Sequence, residues 1–291
     1  MSTPVNPGLS RRHIRGYLRN SRETRGLTQK QVADALDWSP SKVVRIENGI
    51  VGVSVTDLRA LLALYKVLDD AETGRLVELA RVARRRPWYR KFQHALDSDF
   101  EAYLNYEESA SEISTFQTLT IPGLLQTEDY ARDLLEACDA SYLEERVELR
   151  FERQVMVARE DGPFLRFVID EAALHRQVGG PEVMHDQLIR LQHAAEQPRI
   201  SIGVIPFTAG SHPSMTEPFT ILRAGNWSED VLFREAAERT TTKREDQDLV
   251  SAYGARFDQL LAKAVEGEQL GVLLDIRIKD LKDAAQAKQA G

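Results

Sequence analysis

Between residues 10 and 68 the chain is punctuated by helix caps and stops at intervals so short that only a bundle of short helices fits. Residues 11–25 put Ile14, Leu18 and Ser21 on one stripe, ringed by Arg11, Arg12, Arg15, Arg19 and Arg22, and Gly26 stops the run. Thr28 is an N-cap for a second helix over 29–36, with Val32, Ala33 and Leu36 inward; the small Ala33 permits a close crossing. After a tight turn at Asp37 and Trp38, Ser39 caps a third helix with Pro40 at its first position. Val43 and Ile46 face inward and Asn48-Gly49 ends it. Ser54 opens a fourth helix, with Val55, Leu58, Leu61, Leu62 and Tyr65 at helical spacing.

Charge divides the chain soon after this bundle. Residues 1–91 hold 18 Lys+Arg against 9 Asp+Glu, whereas residues 92–291 hold 20 against 36. A basic block of net +9 ahead of a body of net −16 suits a polyanion-binding module joined to a domain that the polyanion repels. No stretch reaches 18 uncharged apolar residues, and the start lacks the basic-then-apolar order of a secretory signal, so a cytoplasmic protein with no membrane partner is expected. The lone Cys138 rules out an intrachain disulfide and a Cys-rich zinc site; it reads as a small apolar filler on a helix.

The Gly26-Leu27-Thr28-Gln29 opening, Ala33 in the second helix and the Ile46-Glu47-Asn48-Gly49 exit resemble the lambda-repressor-like, or xenobiotic-response-element, helix-turn-helix regulators over residues 10–68. In such a motif the third helix lies in the major groove, its N-terminal residues toward base edges, while the second crosses the phosphate backbone. Gln29 then donates its amide to a phosphate and positions the domain. Ser39, Ser41, Lys42 and Arg45 project away from the core face: Arg45 and Lys42 can reach guanine O6/N7, Ser41 a donor or acceptor edge, and Val44 a thymine methyl. Asn48, at the exit, completes the DNA-facing set. Ser39 has a rival role as a mere N-cap and Lys42 as a solvated lysine. Glu47 reads as structural, paired with an arginine of the same domain, since a free carboxylate facing phosphates is repulsive. The partner is double-stranded DNA, and a homodimer is expected because one module reads only a few base pairs and discrimination needs two half-sites, about 34–36 Å apart.

Residues 69–105 read as a connector: an amphipathic helix over 69–86 with Leu76, Leu79, Ala80 and Ala83 on one side, stopped by Pro87, then a hinge. Residues 106–291 alternate strand and helix signals. Strands are expected over 111–120, 164–169 and 200–207, with a hairpin at 219–222 and 231–233. Helices are expected from 127, over 141–159 with Val147, Phe151, Val155 and Met156 inward, over 181–196, and at the end through Leu249, Tyr253, Phe257 and Leu260. The fold class is a mainly α helix-turn-helix bundle followed by an α+β domain.

The tracts IPGLLQTEDYARDLL, RFERQVMV, RFVIDEAALHRQVGGPEVMHDQL and IPFTAGSHPSM resemble the C-terminal domain of actinobacterial helix-turn-helix regulators described as antitoxin-like. That resemblance implies a domain responsive to a ligand or protein, with a small acidic protein encoded nearby as one partner. The leading expectation is a sequence-specific transcriptional regulator; the alternative is an antitoxin-like adaptor that sequesters a partner and autoregulates its operon. Glu171, Phe207 and His212 are the candidate pocket residues, with Glu171 a helix cap or an ion-pair partner of Arg166 or Arg176. Asp170, Glu171, His175 and His212 could serve acid–base chemistry or a metal. The sequence has no phosphate loop, nucleophile elbow or His-Glu-x-x-His helix, so no enzyme, cofactor or metal is expected.

Overall fold

The structure, a computed structural model, describes residues 6–48, 51–224, 230–235, 240–243 and 246–289, and it divides into two compact units, Met1–Arg90 and Lys91–Gly291. In the first, α1 (Pro7–Thr24) starts on Asn6, whose side chain accepts from the Leu9 amide, with Pro7 at the position where a missing N–H costs nothing. The helix gives way at Gly26, whose φ of +66° a residue with a Cβ resists. Thr28 and Gln31 form a reciprocal capping box at the start of α2 (Gln29–Ala35). Then come α3 (Pro40–Glu47), α4 (Val55–Leu64), capped by Ser54, and α5 (Asp70–Ala83), capped by Asp69. Gly49 lies outside the described residues, and Asn48 is the C-cap of α3.

Leu76, Leu79, Ala80 and Ala83 of α5 share one buried core with Ile14, Leu18, Val32, Ala33, Val43 and Ile46. The expected connector is thereby corrected. Its apolar stripe is a fifth wall of the helical unit, and the boundary between units falls after Arg90 instead of at residue 68.

Arg75 on α5 donates to Nε2 of His13 on α1 at 3.1 Å and pairs with Glu72. Burial first, and the Arg75 charge second, hold the His13 imidazole below its ordinary value. The folded unit therefore takes up this proton less readily than the unfolded chain, so His13 subtracts stability as pH falls below about 6.5. Urea titrations of this unit's transition between about pH 7.5 and about pH 5 should show a downward slope that His13→Gln flattens; identical slopes in the two proteins would contradict the assignment.

The second unit runs α6 (Ser98–Glu107), β1 (Ala110–Gln117), α7 (Glu128–Cys138), α8 (Leu143–Val157), β2 (Phe164–Asp170), α9 (Ala172–His175), α10 (Gly180–Ala195), β3 (Ile200–Ile205), β4 (Phe219–Ala224), β5 (Val231–Glu235), β6 (Thr240–Lys243), α11 (Gln247–Leu261) and α12 (Gly267–Gln289). The six strands form one mixed sheet in the order β3-β2-β1-β4-β5-β6. β1, β2 and β3 are parallel, which requires the helical crossovers between them. β4, β5 and β6 extend the sheet antiparallel from β1. This is the α+β arrangement expected, with β6 added. Phe116, Val168, Phe219, Ile221 and Leu232 point to one face, where Val250, Tyr253, Phe257 and Leu260 of α11 cover them. By the two-residue period, Thr115, Phe167, Thr220 and Phe233 lie on the other.

Two expectations for this unit are overturned. Val155 is 72% exposed, because the buried stripe of α8 runs through Val147, Leu149, Met156 and the charged Arg153. Cys138 is exposed on the last residue of α7, beyond the buried Tyr130, Ala131 and Leu135. Among the described residues no helix is long and apolar enough to cross a membrane.

Candidate nucleic-acid interface

The third helix presents two unlike sides. Val43, Ile46 and Glu47 are buried, whereas Ser39, Ser41, Arg45 and Asn48 are exposed and Lys42 and Val44 half-buried. Pro40 fixes the first turn, and the apolar pair three residues apart turns that side inward. What is left over, Val44 apart, forms a polar outer edge.

Glu47 fixes this helix from beneath. Arg22 on α1 donates through Nε to Oε1 at 2.7 Å and through Nη2 to Oε2 at 3.1 Å, and the amide of Gln29 donates to Oε2 at 2.7 Å. The side chains of Arg22 and Glu47 are only 11% and 5% exposed. Hydrogen bonds to Glu47 lead, over the opposing burial, in holding the Arg22 guanidinium above its ordinary range. A third Arg22 bond, Nη1 to the Leu27 carbonyl at 2.8 Å, ties in the turn before α2. One carboxylate thus locks α1, the start of α2 and the end of α3, as the expected structural role for Glu47 requires.

The outer edge is partly committed as well. Lys42 donates to Asp57 of α4 at 2.7 Å, with its ammonium 3.7 Å from the centre of the Trp38 ring; its side chain stays partly open to solvent, and reading a base requires it to leave that carboxylate. Ser39 occupies the N-cap position but makes no side-chain capping bond; its hydroxyl lies 3.1 Å from that of Ser41. Gln29 gives one amide N–H to Glu47 and retains a second. Among the described residues the Arg45 guanidinium has no hydrogen-bond or ion-pair partner, and it is exposed. The Asn48 carbonyl accepts from Arg15 at 3.4 Å, which brings a second arginine beside the exit of α3. Arg15 is a neighbour the sequence reading did not select. Its position four residues before Arg19 on an arginine-rich helix was the only available signal.

Glu171, Phe207 and His212 come together as a loop anchor. Oε2 of Glu171 accepts from the Phe207 amide at 2.6 Å, and Oε1 lies 3.1 Å from Nε2 of His175. Glu171 is therefore paired with neither Arg166 nor Arg176; Arg166 is taken by Glu112 and Asp258. His212 is buried against Phe116, with Nε2 at 3.0 Å from Asp170. The loop after β3 is pinned to the end of β2 by these contacts, and of the three only Phe207 offers its side chain to solvent. The acid–base set resolves into two separate carboxylate–imidazole pairs, and among the described residues no three His, Cys, Asp or Glu side chains are grouped to hold a metal.

Residues 13–76 match the family described as Helix-turn-helix domain, and residues 100–271 match the one described as Domain of unknown function (DUF5753). No curated protein and no solved structure matches the chain.

Proposed function

Since the chain belongs to the DUF5753 family, matched over more than half its length, and carries a helix-turn-helix domain ahead of that match, we propose that it is a cytoplasmic, sequence-specific transcriptional regulator. In this reading it binds double-stranded DNA as a homodimer and its second unit receives the signal. The observation that carries the reading is the outer edge of α3: Ser41, Arg45 and Asn48 exposed on a helix whose other side is locked by Glu47. Gln29 and Arg15 flank it as phosphate contacts, and Arg45 reads a guanine edge.

The rival reading is an antitoxin-like adaptor that sequesters a small acidic protein encoded nearby. It draws support from Phe207, 57% exposed on a pinned loop. Charge weighs against it, because the body that would dock an acidic partner carries 36 acidic against 20 basic residues over 92–291. Selection of bound sequences from random duplex DNA tests the proposal. An inverted repeat with half-sites about one helical turn apart, bound with a steep fall of log K against log salt, supports it. Recovery of no sequence above background would refute it.

A further inference from the structure

Across four strands of the second unit the registers align Phe167 with Thr115, Thr115 with Thr220, and Thr220 with Phe233. All four side chains lie on the face opposite α11. They floor a cavity of about 160 Å³, roofed by Phe100 and Tyr103 of α6, by the 120–126 loop, and by Arg150 and Arg153 of α8. The cavity opens beside a cleft of about 590 Å³ that shares Phe100, Arg150 and Arg153 with it.

The lining is mixed in an informative way. Aromatic rings form much of its lining, with Phe100 and Tyr103 stacked at 5.6 Å and Tyr103 edge-on to Phe233 at 4.8 Å. The Thr115 and Thr220 hydroxyls are 3.1 Å apart on its floor. In a unit dominated by acidic residues, the cavity wall carries two guanidinium groups and no carboxylate. Arg153 is bound bidentately by the buried Glu107, and Arg150, besides its other contacts, donates to the side chain of Gln126, in the Ile121-Pro122-Gly123-Leu124-Leu125-Gln126 tract. Gln126 is itself fixed through its amide to the Ile121 carbonyl at 2.7 Å. An apolar protein cavity of about 150 Å³ accommodates one benzene-sized ring, and an arginine fork matches a carboxylate.

We propose that this cavity is the ligand site of the second unit and takes a small planar aromatic carboxylate, its ring against the Phe167–Phe233 row and its carboxylate on Arg150. The site rests on the signal-receiving part of the reading above, and it lies on the other side of the sheet from Phe116, against which His212 packs. The probes are benzoate and its uncharged isostere benzamide, titrated calorimetrically into the full chain without DNA. Failure here is therefore separate from failure to bind an operator. Benzoate should bind in the millimolar range or tighter, at least about tenfold better than benzamide. Arg150→Gln should erase that preference by weakening benzoate far more than benzamide, and Thr115→Leu, which fills the floor, should abolish binding of both. Amide exchange matching the parent protein outside the cavity checks that each variant is folded; if Thr115→Leu does not fold, Arg150→Gln decides alone. No binding of benzoate, equal binding of the two probes, or a preference that survives Arg150→Gln would overturn the assignment.

Discussion

Replacing Glu107 with Ala is expected to destabilise the second unit by about 3–5 kcal/mol, the scale of leaving a buried charge without its partner. Glu107 is fully buried and the Arg153 side chain 8% exposed, and the two are joined by paired bonds of 2.8 and 2.7 Å. Burial opposes the Arg153 charge, yet the Glu107 charge and hydrogen bonds, with Tyr103, keep the guanidinium above its ordinary range. The same guanidinium lies 5.3 Å from the ring centres of Phe100 and Tyr103, so α6 grips α8 through three residues of one helical face. Breaking the pair differs from replacing it: the double variant Glu107→Leu, Arg153→Met removes both desolvated charges and should recover most of the loss. Urea denaturation of the second unit's transition reads both. A double variant no more stable than Glu107→Ala would show that the charge left unpaired is not the cause.

The second large effect belongs to Glu47→Ala in the first unit. That change leaves the Arg22 guanidinium, 11% exposed, with the half-exposed Glu23 carboxylate and the Leu27 carbonyl as partners and frees the Gln29 amide, with an expected loss of about 3 kcal/mol, the low end for breaking a buried pair. Set against a domain stability of about 5–15 kcal/mol, this leaves α3 poorly held. Hydrogen exchange should accelerate through residues 7–83 and stay unchanged in residues 98–224, and affinity for any DNA should fall with it. Unaltered exchange in α3 would mean that the carboxylate is not what fixes the helix.

The local grammar of the first unit was readable because each signal acts within a few residues. Gly26 ends α1 through its own φ, Thr28 and Gln31 cap α2 three residues apart, and Val43 with Ile46 alone turns the face of α3. Long-range pairing was not readable. Nothing near Lys42 announces that Asp57 will hold it, and Glu107 and Arg153 are 46 residues apart, so Val155 looked like the natural inward residue of α8. The α5 stripe was legible as amphipathic, but its partner was not, since an apolar face does not name what it packs on. The Thr-rich β6 has no alternation of apolar and polar residues to mark it and exists through its pairing with β5. Glu171 was legible as structural, though its partners are a backbone amide and a histidine and not an arginine.

In the proposed regulator the outer edge of α3 reads base sequence, with Arg45 as its reader. The most direct measurement compares the parent protein and Arg45→Ala on the selected operator and on a scrambled duplex at one salt concentration. Loss of a bidentate guanine contact should weaken operator binding by about 1–3 kcal/mol, roughly 5- to 150-fold, and relax preference at one base pair per half-site while scrambled DNA changes little. An equal loss on both duplexes would reduce Arg45 to a phosphate contact, and no loss on either would mean that Arg45 does not read DNA.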